Sequence, residues 1–314
     1  MEPARAPWAS CATRDAIRHY AWGIGDDNPM WTDREHAADS RWGELIAPPC
    51  FLYAVHETTV APNYPERRRV YRSVDWRFFD VVRVGTSIEA SASLVDERVA
   101  NGDLNQHGRV EFNAADGAAL AVALTRCSRL TDLAVSIDDR PEVRYSGDQL
   151  NAIEQSILTS ERRGAKTRTW EAIAPGDELG PLIKGPLSIM DVVAWCAATT
   201  GMVTEEAGYS EGGMPDQSAT GPEQVAWMSQ LVTDWMGDDG FLLRLQVELK
   251  ALATLGTTTT IAGTVTAVEL DGDLPVVRIA LRSTDQSGEV TAEGSATVLS
   301  PSTRHGPVRL PIAP

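Results

Sequence analysis

The residues best equipped for proton chemistry lie in one short turn. It reads Gly25-Asp26-Asp27-Asn28-Pro29 and continues into Met30-Trp31. A carboxylate held in a turn can take a proton from water and return it, work typically worth about 10²–10⁴ in rate. Asp26 is the first candidate for that role. The bland alternative is an Asp that caps the turn at Asn28-Pro29, where such residues are favoured in any case. Asp27 reads as a solvated loop residue. Asn28 reads as a residue that holds the loop and can also donate to a substrate. Trp31 offers one indole N–H and no base. It can orient a ligand or wall a pocket, but it cannot accept a proton.

A base must then come from elsewhere. Of five histidines, His56 is the candidate, because it follows Cys50 and Tyr53 at near i, i+3, i+6 spacing on a segment read as helical. It would stand about two turns, ~9 Å, from the start of that helix. His36 reads as surface, His19 precedes the Tyr20-Ala21-Trp22 segment, and His107 and His305 fall near a turn and in the tail. Asp33 is expected to cap the helix of DREHAADSR. Pro48 and Pro49 have no N–H, so Cys50 supplies the first free amide at its helix start. The helix's positive end can hold a carbonyl oxygen there. Cys50 and Tyr53 are therefore substrate-binding candidates along with Asn28 and Trp31. Nothing in the sequence near the Cys50 thiol activates it as a nucleophile.

These residues need a frame, and the chain supplies one twice. VRVGTSIEASASLVDE from Val82 parallels ATLGTTTTIAGTVTAVE from Ala253. Each has a Gly-Thr turn, at Gly85 and Gly256, followed by a Thr/Val-rich strand. A second turn, Asp116-Gly117 or Ser287-Gly288, lies 32 residues beyond each glycine. Upstream, Ala21-Trp22 aligns with Ala194-Trp195, which sets Asp26 against Thr199 and Asn28 against Gly201. Each copy reads as helix, loop, central helix, then antiparallel strands. The first central helix is expected from Pro48-Pro49 through CFLYAVHETT. The second is GPEQVAWMSQLVTDWM, ended by the glycines from Gly237 to Gly240. The second copy's loop offers Glu205, Glu206, Tyr209 and Asp216 without fixing their geometry, and Trp195 and Trp227 read as core or wall. Residues 1–135 and 176–314 form the two units, and 136–175 the linker, part of which can be a helix.

The 314 residues carry a net charge of −16, with 43% hydrophobic and 23% charged residues. Two domains with their own cores fit this length. The acidity argues against a nucleic-acid partner. It leaves an anionic thioester carrier only a local basic patch, for which Arg67-Arg68-Arg69 is the candidate; a solvated loop is the equal alternative. No apolar run approaches the ~20 residues of a membrane span, and no signal core begins the chain, which points to the cytoplasm. Four cysteines without metal-type spacing suit reduced thiols. No metal or cofactor motif is present.

The turn GDDNPMW resembles the GDxNPxH signature of the MaoC-like hydratase/dehydratase family. APPCFLYAV, VDWRFFDVVRVG, GPLSIMDVVAWCAATTG and LVTDWMGDDGFLLRL resemble the two halves of its long members. The resemblance spans most of residues 14 to 300. It implies an α+β double hotdog, each repeat a long central helix wrapped by a curved antiparallel sheet. It also implies a lyase that adds water to, or removes it from, an acyl thioester carried by CoA or a carrier protein. Asp26 takes the family's acid position, and Trp31 replaces its His. That departure admits two alternatives. One is a repurposed hotdog enzyme that cyclises, eliminates or isomerises a derived small molecule. The other is a non-catalytic acyl-binding or partner subunit. The fused repeat already mimics a dimer, so both monomer and homodimer suit it.

Overall fold

The computed structural model describes residues 9–60, 68–100, 102–130, 143–159, 167–199 and 218–311. Among these residues, nine antiparallel strands build a single sheet. They are β1 (Arg68–Phe78), β2 (Ile88–Ala100), β3 (Asp103–Ala114), β4 (Ala119–Leu130), β5 (Glu178–Lys184), β6 (Phe241–Leu249), β7 (Thr259–Asp271), β8 (Leu274–Thr284) and β9 (Val290–Leu299). Their order across the sheet is β2-β3-β4-β1-β6-β9-β8-β7-β5. β1 and β6 form the seam between the strand sets, from Ser73 opposite Glu248 to Arg77 opposite Arg244. Arg244 clasps Asp75 across it with two hydrogen bonds, 2.8 and 2.6 Å. Such a bidentate pair fixes register as well as adding attraction.

The duplication expected from the strand sequences is present in the backbone. Gly85 and Gly256 donate to Ala12 and Leu187, and Ala12 and Leu187 donate to Thr86 and Thr257. Gly85, Gly117, Gly256 and Gly288 all adopt positive φ, between 80° and 90°, which only glycine takes without strain. The same anchors correct the upstream alignment by two residues. Ten positions beyond Ala12 and Leu187 stand Trp22 and Ala197, not Trp22 and Trp195. Exposure agrees: Trp22 is 58% exposed and Trp195 3%. The counterparts of Asp26 and Asn28 then lie outside the described residues, as do Glu205, Glu206, Tyr209 and Asp216.

The two central helices differ. α6 (Gly221–Met236) ends at Gly237, φ +77°, as the sequence indicates, and a Thr220 capping box begins it. The first copy starts at the matching place, since Ala47 and Ala219 donate to Val82 and Ala253. Yet only a 3₁₀ turn, Pro49–Ala54, forms there. The β-branched run Thr58-Thr59-Val60 ahead of Pro62 disfavours helix, and Thr58 sits at φ +63°. The chain instead lies down on the sheet. Thr125 donates its hydroxyl to the Thr58 carbonyl at 2.6 Å. Val60 covers Gly108, where any Cβ would stand 2.5 Å from a Val60 methyl. His56 therefore lies beyond the turn, not on a helix.

Three further helices bear on the site: α1 (Arg14–Gly23), α2 (Pro29–Thr32) and α3 (Arg34–Asp39). In the linker region, α4 (Gly147–Leu158) buries no residue. α5 (Ile189–Thr199) packs against α1. Arg69 lies in β1, half-buried and paired to Glu57 at 2.9 Å, so it is neither a solvated loop residue nor an open phosphate site. Arg67 lies outside the described residues. No described helix is long and apolar enough to cross a membrane.

Candidate active site

Thr13 caps α1 by accepting from the Ala16 amide, and the helix buries Ile17, Tyr20 and Ala21. Gly23 meets α5 so closely that a Cβ would stand 2.8 Å from that of Ala198. The chain then turns at Gly25, φ +63°, and the Asp26 amide donates back to Ala21. This delivers Asp26 into the interior, 2% exposed.

A backbone amide and an indole both donate to its carboxylate. The Asn28 amide reaches Oδ1 at 3.0 Å, and the Trp31 indole Nε1 reaches Oδ2 at 2.8 Å. An ionised carboxylate only accepts, so the pairing suits it. Asn28 caps α2 by accepting from the Met30 amide at 3.0 Å. Asp33 caps α3 as expected, accepting from Glu35 and His36. His36 is not a free surface residue: its Nε2 meets Asp238 at 2.7 Å.

The second half of the chain grips the turn from the other side. Lys184, at the end of β5, donates to the carbonyls of Ile24 at 2.6 Å and Gly25 at 3.1 Å. Gln230 of α6 also donates to Gly25, at 3.3 Å. Burial lowers the Lys184 ammonium to about 8, opposed by attraction to Asp26, Asp234, Asp27 and Glu223. Glu223, the third residue of α6, is 1% exposed. Burial raises its carboxyl well above the ordinary range, aided by Asp191 and opposed by the Thr220 amide and Lys184. Tyr20 is likewise raised by burial, then by Cys50, Asp26 and Glu223, so its hydroxyl keeps its proton among these groups.

The remaining candidates spread outward. Burial pushes the Cys50 thiol up to about 12, against a hydrogen bond from Ser229, so it is no thiolate near neutral pH. The Phe51 amide donates to Pro48, which leaves Cys50 as the amide to consider for a carbonyl oxygen. Tyr53 is tied into a buried chain. Its hydroxyl accepts from Trp76 Nε1 at 3.0 Å and meets Tyr71 at 3.2 Å, which meets Thr58 at 2.8 Å. His56 Nδ1 accepts the Thr58 amide at 2.9 Å. That ring nitrogen is thus occupied as an acceptor.

A small apolar cavity of about 30 Å³ is lined by Trp31 together with Met30, Trp42, Leu52, Phe78 and Phe241. Trp31 thus donates its N–H to Asp26 and also lines this cavity. The sequence did not reveal Lys184, Glu223, Gln230 or Tyr20 as parts of this site. Thr220-x-x-Glu223 was legible as a capping box, and Lys184 as one of three lysines. Neither signal tells of burial beside Asp26.

Residues 4–116 match the family described as FAS1-like, dehydratase domain region. Over the whole chain, the structure is similar to a MaoC-like dehydratase at TM-score 0.69 and 18% identity, covering 96% of each chain. The chain shares the fold of MaoC-like dehydratases over nearly its whole length. A MaoC-like dehydratase from Phytophthora capsici is similar at TM-score 0.55 and 12% identity, covering 94% of this chain and 96% of that one. A conserved hypothetical protein from Mycobacterium tuberculosis, described as having a double hotdog fold, is similar at TM-score 0.57 and 10% identity, over 93% and 94%. A UPF0336 protein of Streptomyces avermitilis is 43% identical over 42 residues, 13% of this chain and 28% of that protein's length. The MaoC-like fold is thus shared by the whole chain as a double hotdog, and the dehydratase-region match falls on the half that carries Asp26.

Proposed function

We propose that the protein is an atypical enoyl-thioester hydratase or 3-hydroxyacyl-thioester dehydratase in which Asp26 is the proton acceptor. The observation that carries this reading is the buried Asp26 carboxylate. It is held by Asn28 N–H and Trp31 Nε1–H, just ahead of the turn that begins the first central segment. Hydration needs a base for water, a proton for the α-carbon, and a donor for the thioester oxygen. Asp26 supplies the first, and the Cys50 amide at the head of the 3₁₀ turn supplies the third. The apolar cavity that Trp31 lines offers the acyl group its first contact, and Asn28 and Trp31 orient it. A substrate on CoA or a carrier protein fits this chemistry.

One observation favours a second reading. At Trp31 the indole donates to the acid and cannot accept a proton from it. The site then suits a cyclisation, elimination or isomerisation that needs a single carboxylate. Turnover of crotonyl and longer enoyl thioesters by wild type and Asp26→Asn separates the two. The hydratase reading expects turnover that falls about 10²–10⁴-fold in the variant. Equal turnover in both removes Asp26 from the mechanism, and no turnover by wild type sinks the reading.

A further inference from the structure

The sheet has an outward face that the proton chemistry does not use. Along β3 and β4, Leu104, Gln106, Thr125 and Cys127 are buried on the inward side. Asn105, His107, Arg126 and Ser128 alternate with them and turn the other way. Tyr71, opposite Cys127 in β1, shares the inward side. There α6 begins against it: a Cβ on Gly221 would stand 2.5 Å from that of Tyr71. The same helix holds the Asp26 turn through Gln230.

The outward residues border an open cavity of about 400 Å³, whose polar walls are Arg72, Asp103, Asn105, His107, Arg126 and Ser128. Sites for small molecules commonly span roughly 300–1,000 Å³. A bulge places Arg72 in this wall. β1 and β4 pair Tyr71 with Cys127 and Ser73 with Arg126, which leaves Arg72 as the extra residue. Bulges of this kind re-aim a side chain and are frequent beside functional sites. Arg72 Nε donates to Ser128 Oγ at 3.2 Å, and Ser128 donates to Asn105 Oδ1 at 2.8 Å. The guanidinium is thereby anchored by its inner nitrogen, and no carboxylate pairs with it among the described residues. With 28 Lys and Arg against 44 Asp and Glu in the chain, a guanidinium without an acidic partner is unexpected on charge alone. Arg126 brings a second cation. Its partner Glu248, at 3.3 Å, is shared with Lys250 at 3.2 Å. Asn105, whose oxygen is taken by Ser128, has its amide N–H groups to offer.

We infer that this cavity binds a small phosphorylated molecule that also carries a hydroxyl, at a site separate from the Asp26 turn. The terminal nitrogens of Arg72 take two phosphate oxygens in parallel. Arg126 adds charge, and Asn105 adds a neutral donor. Asp103 repels a bare anion but accepts from a hydroxyl on the body of the ligand. It therefore selects a phosphate ester over inorganic phosphate. The inference does not depend on the hydratase reading, since none of these residues serves the Asp26 turn. Phosphate on ribose is common to a free sugar phosphate and to a nucleotide, so the test separates those two sources.

The test is calorimetric titration of the full chain with ribose 5-phosphate, adenosine 5′-monophosphate and inorganic phosphate. At least one ester should bind saturably, about 10-fold or more tighter than inorganic phosphate. The tighter ester names the source. Arg72→Gln should weaken that ester about 10-fold or more. Arg126→Gln, which leaves the bulge untouched, should weaken it too. Asp103→Asn should narrow the gap between ester and inorganic phosphate. Arg109→Gln removes the same charge from the same face of β3 but outside the cavity, where Arg109 pairs with Glu111 at 2.7 Å. It should leave the affinity unchanged. Unfolding midpoints without ligand report whether each variant keeps the fold. Absence of saturable binding by both esters would overturn the inference. Inorganic phosphate binding as tightly as the esters would overturn it as well. So would equal losses in Arg72→Gln and Arg109→Gln, which would mark a general attraction of the face for anions.

Discussion

Trp31 donates its indole N–H to Asp26 at 2.8 Å across a five-residue turn that both side chains close from inside. The contact gives the acid a fixed, charge-assisted donor where the resembled signature carries an imidazole. A donor at Oδ2 orients the carboxylate, but it cannot relay a proton. On its other side the turn is held by Lys184 and Gln230, both from the second repeat.

Trp31→Phe should cost stability and disturb Asp26 together. It removes a buried hydrogen bond to a charged group and leaves a gap beside Met30 and Trp42. The expected loss is about 2–4 kcal/mol by chemical denaturation. Trp31→His retains a donor of shorter reach and adds a base. Crotonyl-thioester turnover should rise, by about 10-fold or more. A fall in turnover would mean that the indole itself takes part in the reaction, which favours the repurposed-enzyme reading.

The stability of Glu223→Gln should depend on pH in a defined sense. In the folded protein the carboxyl is held well above its ordinary value of 4.5, chiefly by burial. Between 4.5 and that raised value the native state keeps a proton that the unfolded chain has released. By linkage, its stabilising contribution is whole below 4.5 and is lost as pH rises through the folded value. Glutamine has no such term. The wild-type minus variant difference in unfolding free energy should therefore shrink as pH rises from 4.5. A difference that stays flat would show that Glu223 is ionised throughout.

Lys184 has the opposite sense. Its ammonium is lowered from 10.5 to about 8, chiefly by burial. Between those values the unfolded chain binds the extra proton, so stability rises with pH across that window. Comparing wild type with Lys184→Gln from pH 7 to 11 should show the difference moving in favour of wild type above 8. Catalysis should move the other way. Loss of the ammonium charge weakens the grip on the carbonyls of Ile24 and Gly25, so wild-type turnover should fall as pH passes 8. A pH–rate profile identical in the variant would separate Lys184 from the site.

Much of the frame could be read directly from the residues. The paired Gly-Thr turns, the strands that follow them and the span of α6 depend on short-range chemistry, namely positive-φ glycine, β-branched runs, a first-turn proline and glycines at the helix end. Those signals act within a few residues and survive translation into structure. The first central helix did not survive, because a helical hydrophobic spacing in CFLYAVHETT competes with the Thr58-Thr59-Val60 run and the docking of Val60 on Gly108. That outcome is decided by tertiary contact. The Ala-Trp alignment failed because two identical letters lay two positions apart in the true repeat, with one indole outside and the other in the core. Asp26 was legible because its turn is local. The residues that hold its turn, Lys184 and Gln230, were not, since each lies more than 150 residues away and reaches the turn only through the pairing of the two repeats.

Gly23 tests that pairing. It ends α1 one turn before Asp26, and it is where α1 crosses α5. A Cβ at this position would stand 2.8 Å from the Cβ of Ala198 and 3.2 Å from the Ala194 carbonyl oxygen. The second obstacle is backbone and cannot swing aside, so Gly23→Ala must push the helices apart. Overpacking of this kind costs roughly 1–3 kcal/mol, while replacing a helical glycine with alanine returns up to about 1 kcal/mol. The net expectation is a loss of about 1–2 kcal/mol, together with reduced turnover, because the Asp26 amide is tied to Ala21 on the displaced helix. Ala198→Gly relieves the Cβ contact but not the carbonyl. The double variant should accordingly recover part of the stability, with a coupling energy of about 0.5 kcal/mol or more. Strictly additive effects would show that α1 and α5 do not meet at Gly23, and that the second repeat does not brace the Asp26 turn through this crossing.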